Sequence, residues 1–308
     1  MSLIEQAAKR LEQLRQAGVE LPDDDVRVKH QPQSTVQIPE EKRESEAIAP
    51  LSPLAPPFIP AKRIELDLDA LAASGLLVPK STNTQLASEY RVIKRPLIAN
   101  AMGRSAAPVV NGNLIMVTSA LPGEGKSFTA INLAMSIAME LDTTVMLVDA
   151  DVARPSILNM LGLPPAEGLL DVVEQNSVDI SQVLLRTNIE KLSLLPSGTK
   201  HAQATELLAS DAMIRLLEDM SRRYQDRIIV FDSPPLLITT EARALATHMG
   251  QIVMVVHAGQ TTEAAVKEAV STIDSCPVKM MILNQVRQSV AEGYGYGYSL
   301  AYGYGHEK

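Results

Sequence analysis

The sequence contains little cysteine and few large aromatic side chains. Its 308 residues include one cysteine, Cys276, no tryptophan and three phenylalanines. One cysteine excludes an internal disulfide and a cysteine-rich zinc site, and this scarcity is typical of proteins of the reducing cytoplasm. We therefore predict that Cys276 is a small buried hydrophobe and that the protein is cytoplasmic.

An excess of positive charge and a long apolar run are also missing. The formal net charge is −8, whereas a general affinity for nucleic-acid phosphates needs clustered Lys and Arg. No apolar run approaches the roughly 20 residues that span a bilayer. Residues 1–18 mix charges with leucines, unlike a secretory signal. We expect no nucleic-acid partner, and we expect any association with the inner membrane to be peripheral, through a partner or a surface contact.

Composition divides the chain into four segments. Residues 1–18 are predicted to form an amphipathic helix that either packs on the main domain or docks on another protein. Its apolar side chains at helical spacing are Ile4, Ala7, Leu11 and Leu14. Residues 19–62 hold eight prolines and many charges, which is typical of a disordered linker. A folded domain over 63–287 and a tail rich in Gly and Tyr over 288–308 complete the prediction.

From residue 113 onward, apolar runs of strand length alternate with helical patterns. The predicted strands are 114–117, 145–148, 192–195, 228–231, 252–256 and 280–283. The predicted helices are 127–140, 206–223 and 262–273. Apolar strands separated by helices are typical of a parallel sheet covered on both faces. We therefore predict an α/β fold with a doubly wound, mostly parallel sheet, whose core spans 113–287.

Two shorter patterns precede this core. Ile64, Leu66 and Leu68 alternate as in a short strand. Residues 86–101 contain several charged side chains among apolar ones, which predicts a surface helix. Pro96 lies within that pattern, and we expect it to interrupt the helix.

A glycine-rich loop follows the first predicted strand. Residues 120–127 match the phosphate-binding pattern G-x-x-x-x-G-K-[ST], except that Ala120 replaces the first glycine. Gly123 and Gly125 let the backbone N–H groups point at phosphate oxygens. Lys126 adds a full positive charge, and the Ser127 hydroxyl is a ligand for Mg²⁺. The alternative is an ordinary tight turn, but a strand before the loop and a helix after it favour an ATP site.

Three aspartates follow two other predicted strands. Asp149 and Asp151 come after the strand that ends at 148, and Asp232 comes after the strand that ends at 231. Parallel strands share one carboxyl edge, where ligands bind, so we expect these side chains to converge beside the loop. Each one alone could be a helix cap or a turn residue. Together they predict a site for a magnesium nucleotide.

These motifs resemble those of the bacterial tyrosine kinases that accompany polysaccharide synthesis and export. That family is a branch of the P-loop ATPases related to the MinD and ParA proteins. It carries a P-loop, an Asp-x-Asp motif, an Asp-Ser/Thr-Pro-Pro motif and a C-terminal tyrosine cluster, and all four occur here in order across residues 114–304. Residues 89–96 are similar to the autokinase subgroup linked to exosortase loci.

The resemblance implies a role for each matching position. It implies ATP and Mg²⁺ as cofactors, with the metal held by Ser127, Asp151 and Asp232. Lys126 and the three aspartates are the implied catalytic groups, and Asp149 and Asp151 divide metal binding and activation of the tyrosine hydroxyl. Asn284 matches a position near the adenine, and the alternative is that it is a turn residue. The predicted ATP-binding residues are Ala120, Pro122, Gly123, Glu124, Gly125, Lys126, Ser127, Phe128, Arg154 and Asn284.

The chain also departs from its relatives at informative positions. The family's oligomerisation motif is Glu-x-x-Arg-x-x-Arg, but Glu89, Arg91 and Arg95 are spaced differently, so the predicted homo-oligomer, a ring in the family, has weaker support. The Asp-x-Asp motif is followed by Ala153 where the family often has Arg. MinD and ParA proteins place a lysine at the second position of the P-loop, where this chain has Leu121.

Five of the seven tyrosines lie in the tail, separated mostly by glycines. They are Tyr294, Tyr296, Tyr298, Tyr302 and Tyr304. Glycine keeps such a segment flexible, as a kinase acceptor requires. About ten residues separate Asn284 from Tyr294, a reach of roughly 35 Å. The tail can therefore reach its own site or a neighbour's. The alternative is a sticky low-complexity segment or a strand with one tyrosine face.

The sequence thus predicts a protein-tyrosine autokinase that phosphorylates its own tail and regulates exopolysaccharide synthesis. One alternative is a MinD- or ParA-like positioning ATPase without kinase activity, which Leu121 and the tail oppose. Another is a nucleotide-gated scaffold. The resemblance further implies a membrane-embedded regulator of polysaccharide chain length as partner.

Overall fold

The computed structural model describes residues 62–81, 84–175, 178–224 and 226–286. The chain divides into two units, Met1–Leu54 and Ala55–Lys308, and every described residue belongs to the second. The predicted N-terminal helix, nearly all of the predicted linker and the tyrosine tail lie outside the described residues. Within the described ranges, no helix is both long enough and apolar enough to cross a bilayer.

The described residues form a sheet flanked by helices. The strands are β1 Leu114–Ser119, β2 Thr144–Asp149, β3 Leu185–Arg186, β4 Leu192–Leu195, β5 Arg227–Asp232, β6 Gln251–His257 and β7 Val278–Asn284. The helices are α1 Leu68–Ala73, α2 Gln85–Ala101, α3 Lys126–Ala138, α4 Ile157–Met160, α5 Leu169–Glu174, α6 Ile180–Val183, α7 Ala204–Leu208, α8 Asp211–Arg223, α9 Thr240–Ala246 and α10 Glu263–Ser271.

The strand order is β3-β4-β2-β5-β1-β6-β7, and every pairing except β3 with β4 is parallel. This order confirms the predicted doubly wound, mostly parallel sheet. β1 lies between β5 and β6, and all six of its residues are buried. The register of β2 and β5 sets Asp149 opposite Asp232. The carboxyl ends of the central strands therefore bring these two aspartates to one edge.

An apolar layer covers each face of the sheet, as the alternation of side chains along a strand requires. Met116 of β1 and Phe231 of β5 belong to one layer. Ile115 and Val117 of β1 belong to the other, together with most apolar residues of α3. Helix α3 is buried from Thr129 to its end at Ala138, so the helix after the glycine-rich loop is fixed in the core.

All six predicted strands are confirmed, and five of them extend one or two residues further at one or both ends. The prediction missed β3, which has only two residues and pairs antiparallel with β4. The helix predicted at 206–223 is two helices, because Ser210 begins a new one by accepting a hydrogen bond from the N–H of Met213 at 3.3 Å. The short helices α4, α5, α6 and α9 were also missed.

Two expectations before the core were wrong. The residues Ile64–Leu68 form no strand; a single bridge joins Arg63 to Arg186, and Asp67 caps the start of α1. Pro96 does not interrupt α2, which continues to Ala101. Leu97, directly after the proline, is fully buried, and this packing outweighs the lost hydrogen bond.

Helix α2 is also less superficial than predicted, because a buried lysine joins it to α3. The Lys94 ammonium donates a hydrogen bond to the carbonyl of Ser136 and lies 2.7 Å from Glu140 Oε1. Its side chain is 6% exposed. Since Ser136 lies in the last turn of α3, the positive charge also complements the negative end of that helix. Glu89, Arg91 and Arg95 remain on the exposed side of α2.

Candidate active site

The glycine-rich loop joins β1 to α3 at the centre of the sheet. Gly123 and Gly125 have φ of 82° and 94°, a left-handed backbone that favours glycine. A Cβ atom on Gly125 would lie 2.1 Å from Asn284 Nδ2. Gly125 also begins α3 without a side-chain cap. The N–H groups in the first turn of this 13-residue helix are therefore not capped by a side chain at Gly125, and such N–H groups can bind phosphate.

Glu124 holds the loop in place. Its side chain is buried, with Oε2 accepting from the Leu121 N–H at 2.7 Å and Oε1 accepting from the Thr261 hydroxyl. Asn284 Nδ2 donates to the Glu124 carbonyl at 2.9 Å, and Gln285 Nε2 donates to the Gly123 carbonyl at 3.1 Å. The loop is thus attached to the segment after β6 and to the end of β7.

The three aspartates converge beside this loop, as the sequence predicted. Asp149 and Asp232 end adjacent strands, and the Ala150 N–H donates to the Asp232 carbonyl at 2.8 Å. Lys126 Nζ lies 2.6 Å from Asp151 Oδ2. The other oxygen of Asp151 accepts from the Arg154 N–H at 3.1 Å. Both oxygens of Asp151 are therefore engaged, one of them by the loop lysine.

Asp149 and Asp232 have unused buried oxygens. Asp149 Oδ2 accepts from the N–H groups of Ser156 and Ile157 at 3.1 and 3.0 Å. Among the described residues, Asp149 Oδ1 and both carboxylate oxygens of Asp232 have no hydrogen-bond partner. Buried polar atoms are rarely left unpaired unless a ligand, an ion or water completes them. These three oxygens therefore mark the place where a bound group fits.

The same burial raises the pKa of both carboxyl groups toward neutral pH. Burial raises the pKa of Asp149 to about 7, and the neighbouring charge of Asp232 adds to the effect. Burial also raises the pKa of Asp232 to about 6, although the charge of Lys126 lowers it. The nearby Ser127 hydroxyl lowers it further without completing a hydrogen bond. A cation placed between these carboxylates would stabilise their charged form.

The donor set fits Mg²⁺ held jointly by protein and nucleotide. The described residues contain no cluster of three or more His, Cys, Asp or Glu side chains arranged to hold a metal without further ligands. Mg²⁺ commonly takes one or two carboxylates and completes its shell with waters and substrate phosphates. The unpaired oxygens of Asp232 and the nearby Ser127 hydroxyl provide such a partial set.

Other predicted ATP-binding residues lie at the loop in different ways. Ala120 is buried, and Pro122 is exposed. Arg154 is exposed and contributes its backbone N–H to Asp151. The Phe128 side chain is partly buried and packs against the apolar layer under α3. Asn284 is brought to the loop, where its amide binds the Glu124 carbonyl.

A cavity beside Asp149 was not predicted. Its volume is about 610 Å³, and its walls are the loops that follow β2 and β4. It is lined by Asp149, Pro155, Leu158, Asn159, Leu163, Pro165, Ala166, Glu167, Ser197, Gly198, Thr199 and Lys200. Loops that fold over a strand end carry no periodic pattern, so only the prolines marked these residues in the sequence.

The chain is similar in sequence to known tyrosine-protein kinases. The AAA domain family matches residues 112–285. The tyrosine-protein kinase YwqD of Bacillus subtilis (strain 168) is 31% identical over 219 residues, which cover 70% of this chain and 87% of that protein. The tyrosine-protein kinase wzc of Salmonella typhimurium is 30% identical over 184 residues, 59% of this chain but 25% of the longer relative.

Solved structures agree with these sequence matches. The VpsO kinase domain is 27% identical, with a TM-score of 0.53 over 66% of this chain and 100% of that domain. The chimerical protein CapA2B2 is 25% identical, with a TM-score of 0.55 over 69% of this chain and 97% of that one. The kinase domain of the Escherichia coli tyrosine kinase ETK, at 19% identity and a TM-score of 0.54, shares the fold.

Proposed function

The chain belongs to the bacterial tyrosine-protein kinase family within the P-loop ATPases, and on this premise we propose that it is an ATP-dependent autokinase that phosphorylates its own C-terminal tyrosines. The observation that carries the proposal is the convergence of Lys126, Asp149, Asp151 and Asp232 beside the glycine-rich loop. Family membership gives the enzyme class, a protein-tyrosine kinase. The acceptor segment and the roles of the individual residues are our proposal.

The loop and α3 bind the phosphates of ATP. The backbone N–H groups around Gly123 and Gly125 and at the start of α3 donate hydrogen bonds to the phosphate oxygens. Lys126 now pairs with Asp151 at 2.6 Å, and a bound γ-phosphate would compete with that carboxylate for the ammonium group. Release from Lys126 would make Asp151 Oδ2 available to a metal ion, so nucleotide binding and completion of the metal site are linked.

Ser127, Asp151 and Asp232 are the proposed Mg²⁺ ligands. When bound, Mg²⁺ neutralises charge on the β- and γ-phosphates. Asp232 suits this role because both of its oxygens are buried and have no partner within the described part of the chain.

Asp149 is the proposed acceptor of the tyrosine proton. One oxygen is fixed by the N–H groups of Ser156 and Ile157, and the other is unpaired among the described residues. Unlike Asp151, this carboxylate has no lysine partner there. A phenol is protonated at neutral pH and is a weak nucleophile until a base takes its proton. In this proposal, Asp149 is the base and Asp151 is a metal ligand.

The proposed reaction transfers the γ-phosphoryl group of ATP to the phenol oxygen of a tyrosine. The phenol oxygen forms a bond to the γ-phosphorus while the bond from that phosphorus to the β,γ-bridging oxygen breaks and ADP leaves. The phenol proton passes to the unpaired oxygen of Asp149. Lys126 remains on the phosphates and neutralises charge during the transfer. The products are ADP and a phosphotyrosine.

The proposed acceptors are Tyr294, Tyr296, Tyr298, Tyr302 and Tyr304. β7 ends at Asn284 on the same sheet edge as the loop, so the chain continues from the active-site side. The family further suggests a role in exopolysaccharide synthesis at the inner membrane, self-association and a membrane-embedded partner that regulates polysaccharide chain length. These remain part of the proposal.

Incubation of the purified 308-residue protein with Mg-ATP tests the proposal, with phosphate located by mass spectrometry. We expect phosphotyrosine within residues 294–304, and we expect Lys126→Ala to abolish it. Asp149→Asn should reduce the transfer rate by roughly 10²- to 10⁴-fold, the usual contribution of a general base, while Mg-ADP affinity stays close to that of the parent. Lys267→Ala, on the exposed side of α10, is the matched control for loss of a lysine.

Each alternative has a distinct result. Free phosphate with an unmodified tail would favour a positioning ATPase, and neither product would favour a nucleotide-gated scaffold. Phosphotyrosine that persists in Lys126→Ala would overturn the proposed phosphate site.

A further inference from the structure

We propose that the outer edge of β7 is the docking site for residues 294–298 of this chain's own unmodified tail, which would add a further antiparallel strand to the sheet. The tyrosines of that segment would pack on the exposed apolar side chains of Met281 and Leu283. The docking itself requires no kinase activity. Its effect on the order in which the tail is phosphorylated rests on the proposed function.

The edge of β7 is regular and apolar. β7 is the last strand in the sheet order, and no other strand in the described ranges pairs with its outer side. Met281 and Leu283 are 55% and 62% exposed, whereas Met254, the partner of Met281 in β6, is buried in the same layer as Ala269 of α10. Edges of this kind are usually paired, covered or protected by charge. The one charged residue of β7 is Lys279, near its start, so the second half of the edge has no such protection.

The backbone at this edge is oriented to accept another strand. The Ala258 N–H donates to the Asn284 carbonyl at 2.9 Å, so that carbonyl points toward the β6 side. The direction of the backbone groups alternates along a strand, so those of Leu283, Met281 and Lys279 point away from β6. The side chains of the same three residues share one face of the sheet. In an antiparallel pair, each of them can exchange two hydrogen bonds with the residue opposite.

The tail has a matching pattern and follows this strand directly. Tyr294, Tyr296 and Tyr298 alternate with glycines, so all three rings would lie on one face of a strand. β7 ends at Asn284, and residues 285–293 provide the connection back to its edge. Loop-closure cost rises only slowly with loop length. A segment tethered in this way has an effective concentration on the order of millimolar, which favours it over a separate partner.

One register satisfies both patterns. When Tyr296 lies opposite Met281, Tyr294 lies opposite Leu283 and the third tyrosine lies opposite Lys279. Cross-strand pairs of aromatic and aliphatic side chains stabilise a sheet, and an ammonium group beside a tyrosine ring adds an electrostatic attraction. The glycines would face the side on which β7 is already partly buried. Because glycine weakens a strand, the docked segment can still be released to an active site.

Docking would set an order of phosphorylation. Tyr302 and Tyr304 lie beyond the docked segment, so we expect them to be modified before the tyrosines of residues 294–298. Each phosphate adds about −1.5 to −2 charges. Phosphates on residues 294–298 would share one face and would lie on the apolar side chains of Met281 and Leu283. The modified segment would therefore not return to the edge.

Paired cysteines in the 308-residue protein without ATP test the docking and its register. Met281→Cys with Tyr296→Cys places two thiols on residues directly opposite, about 5.5 Å apart at Cα, a distance that a disulfide spans. Met281→Cys with Gly295→Cys is the matched control, because residue 295 would face the other side of the sheet. Cys276→Ala is present in every variant. With oxidised glutathione, the first pair should form an intrachain disulfide at least roughly tenfold faster than the control pair.

Two results would overturn the docking. Equal rates of disulfide formation in the two pairs would show that the tail does not occupy this edge. A rapid interchain disulfide, in the first pair or in Met281→Cys alone, would show that a second copy of the chain covers β7 instead.

The order of phosphorylation is measured separately, with Mg-ATP and mass spectrometry at successive times. In the parent, Tyr302 and Tyr304 should be phosphorylated at least about threefold faster than residues 294–298, because only the undocked fraction of those residues is available. Leu283→Asp should remove this difference, and Leu141→Asp, at another exposed apolar side chain, should keep it. Equal rates in the parent, or a difference that persists in Leu283→Asp, would overturn the ordering. If no tyrosine is phosphorylated, the proposed function fails, while the disulfide result still decides the docking.

Discussion

Two buried aspartates of this site, Asp149 and Asp232, destabilise the fold when they carry a charge. Asp149 and Asp232 are both nearly inaccessible to solvent, and burial raises their pKa values to about 7 and about 6. A carboxyl whose pKa is higher in the folded state favours folding while protonated. That advantage is fully present below the unfolded pKa of about 4 and is lost as the pH rises through the folded pKa.

We therefore predict that Asp232→Asn stabilises the nucleotide-free protein at pH 8. The neutral amide removes the cost of a buried charge, and the free energy of unfolding should rise by about 1–3 kcal/mol relative to the parent. The difference should shrink toward zero at pH 4–5, where Asp232 is protonated. Urea denaturation in EDTA between pH 5 and 8 measures it.

The matched control for this variant is Asp274→Asn, which removes an exposed carboxylate and should leave the pH dependence unchanged. Parallel stability curves for the parent and Asp232→Asn from pH 5 to 8 would contradict the prediction. The same variant should lose kinase activity, since Asp232 is a proposed metal ligand. Stability and activity are thus opposed at one residue, as they often are at active sites.

At the scale of elements, α2 is attached to the P-loop helix α3 by one buried side chain. Lys94 lies against the carbonyl of Ser136 and the carboxylate of Glu140. The Lys94 hydrogen bond is the main reason that the pKa of Glu140 lies below its usual value. Because α3 begins at the glycine-rich loop, the Lys94 contacts at the C-terminal end of α3 also help to position the loop.

We predict that Lys94→Ala lowers the free energy of unfolding by about 2–3 kcal/mol, through the lost hydrogen bond, the lost ion pair and the space left by the buried stem. Lys267→Ala removes an exposed pair with Glu263 and should cost less than about 0.5 kcal/mol. Chemical denaturation at pH 7 compares the two. Equal effects would show that burial of Lys94 contributes nothing.

Elements with strong local signals could be predicted from the sequence, and elements fixed by distant contacts could not. The strands around 114–117 and 228–231 are continuous apolar runs, and Asp149 and Asp232 are the last residues of their strands. By contrast, β3 has two residues and exists because it pairs with β4. Pro96 stays inside α2 because Leu97 packs in the core, and no local pattern reports that contact.

The site divides in the same way. The P-loop and the aspartates each come at the carboxyl end of a strand. The carboxyl ends of parallel strands meet at one edge of the sheet, so their convergence was predictable. The attachment of Glu124 to Thr261 and the cavity beside Asp149 depend on loops from different parts of the chain. The proposed division of roles between Asp149 and Asp151 rests on the pairing of Asp151 with Lys126, a contact across 25 residues that spacing cannot specify.

At the scale of the whole molecule, the open matter is whether a tail serves its own site or a neighbour's. β7 and β2 are four strand positions apart in the sheet, roughly 19 Å at the usual spacing. The roughly ten residues from Asn284 to Tyr294 span up to about 35 Å. Either route is within reach. The self-association proposed above favours a neighbour's site.

We predict that phosphorylation occurs between chains. In a mixture of Lys126→Ala protein, which keeps its tail, and active protein with its five tail tyrosines changed to Ala, phosphotyrosine should appear on the Lys126→Ala chain. The initial rate per chain should rise with total protein concentration until the chains are associated. Isotopically labelling one chain lets mass spectrometry assign each phosphate. Phosphorylation of the parent protein at a rate independent of concentration, together with an unmodified Lys126→Ala tail in the mixture, would show instead that each tail enters its own active site.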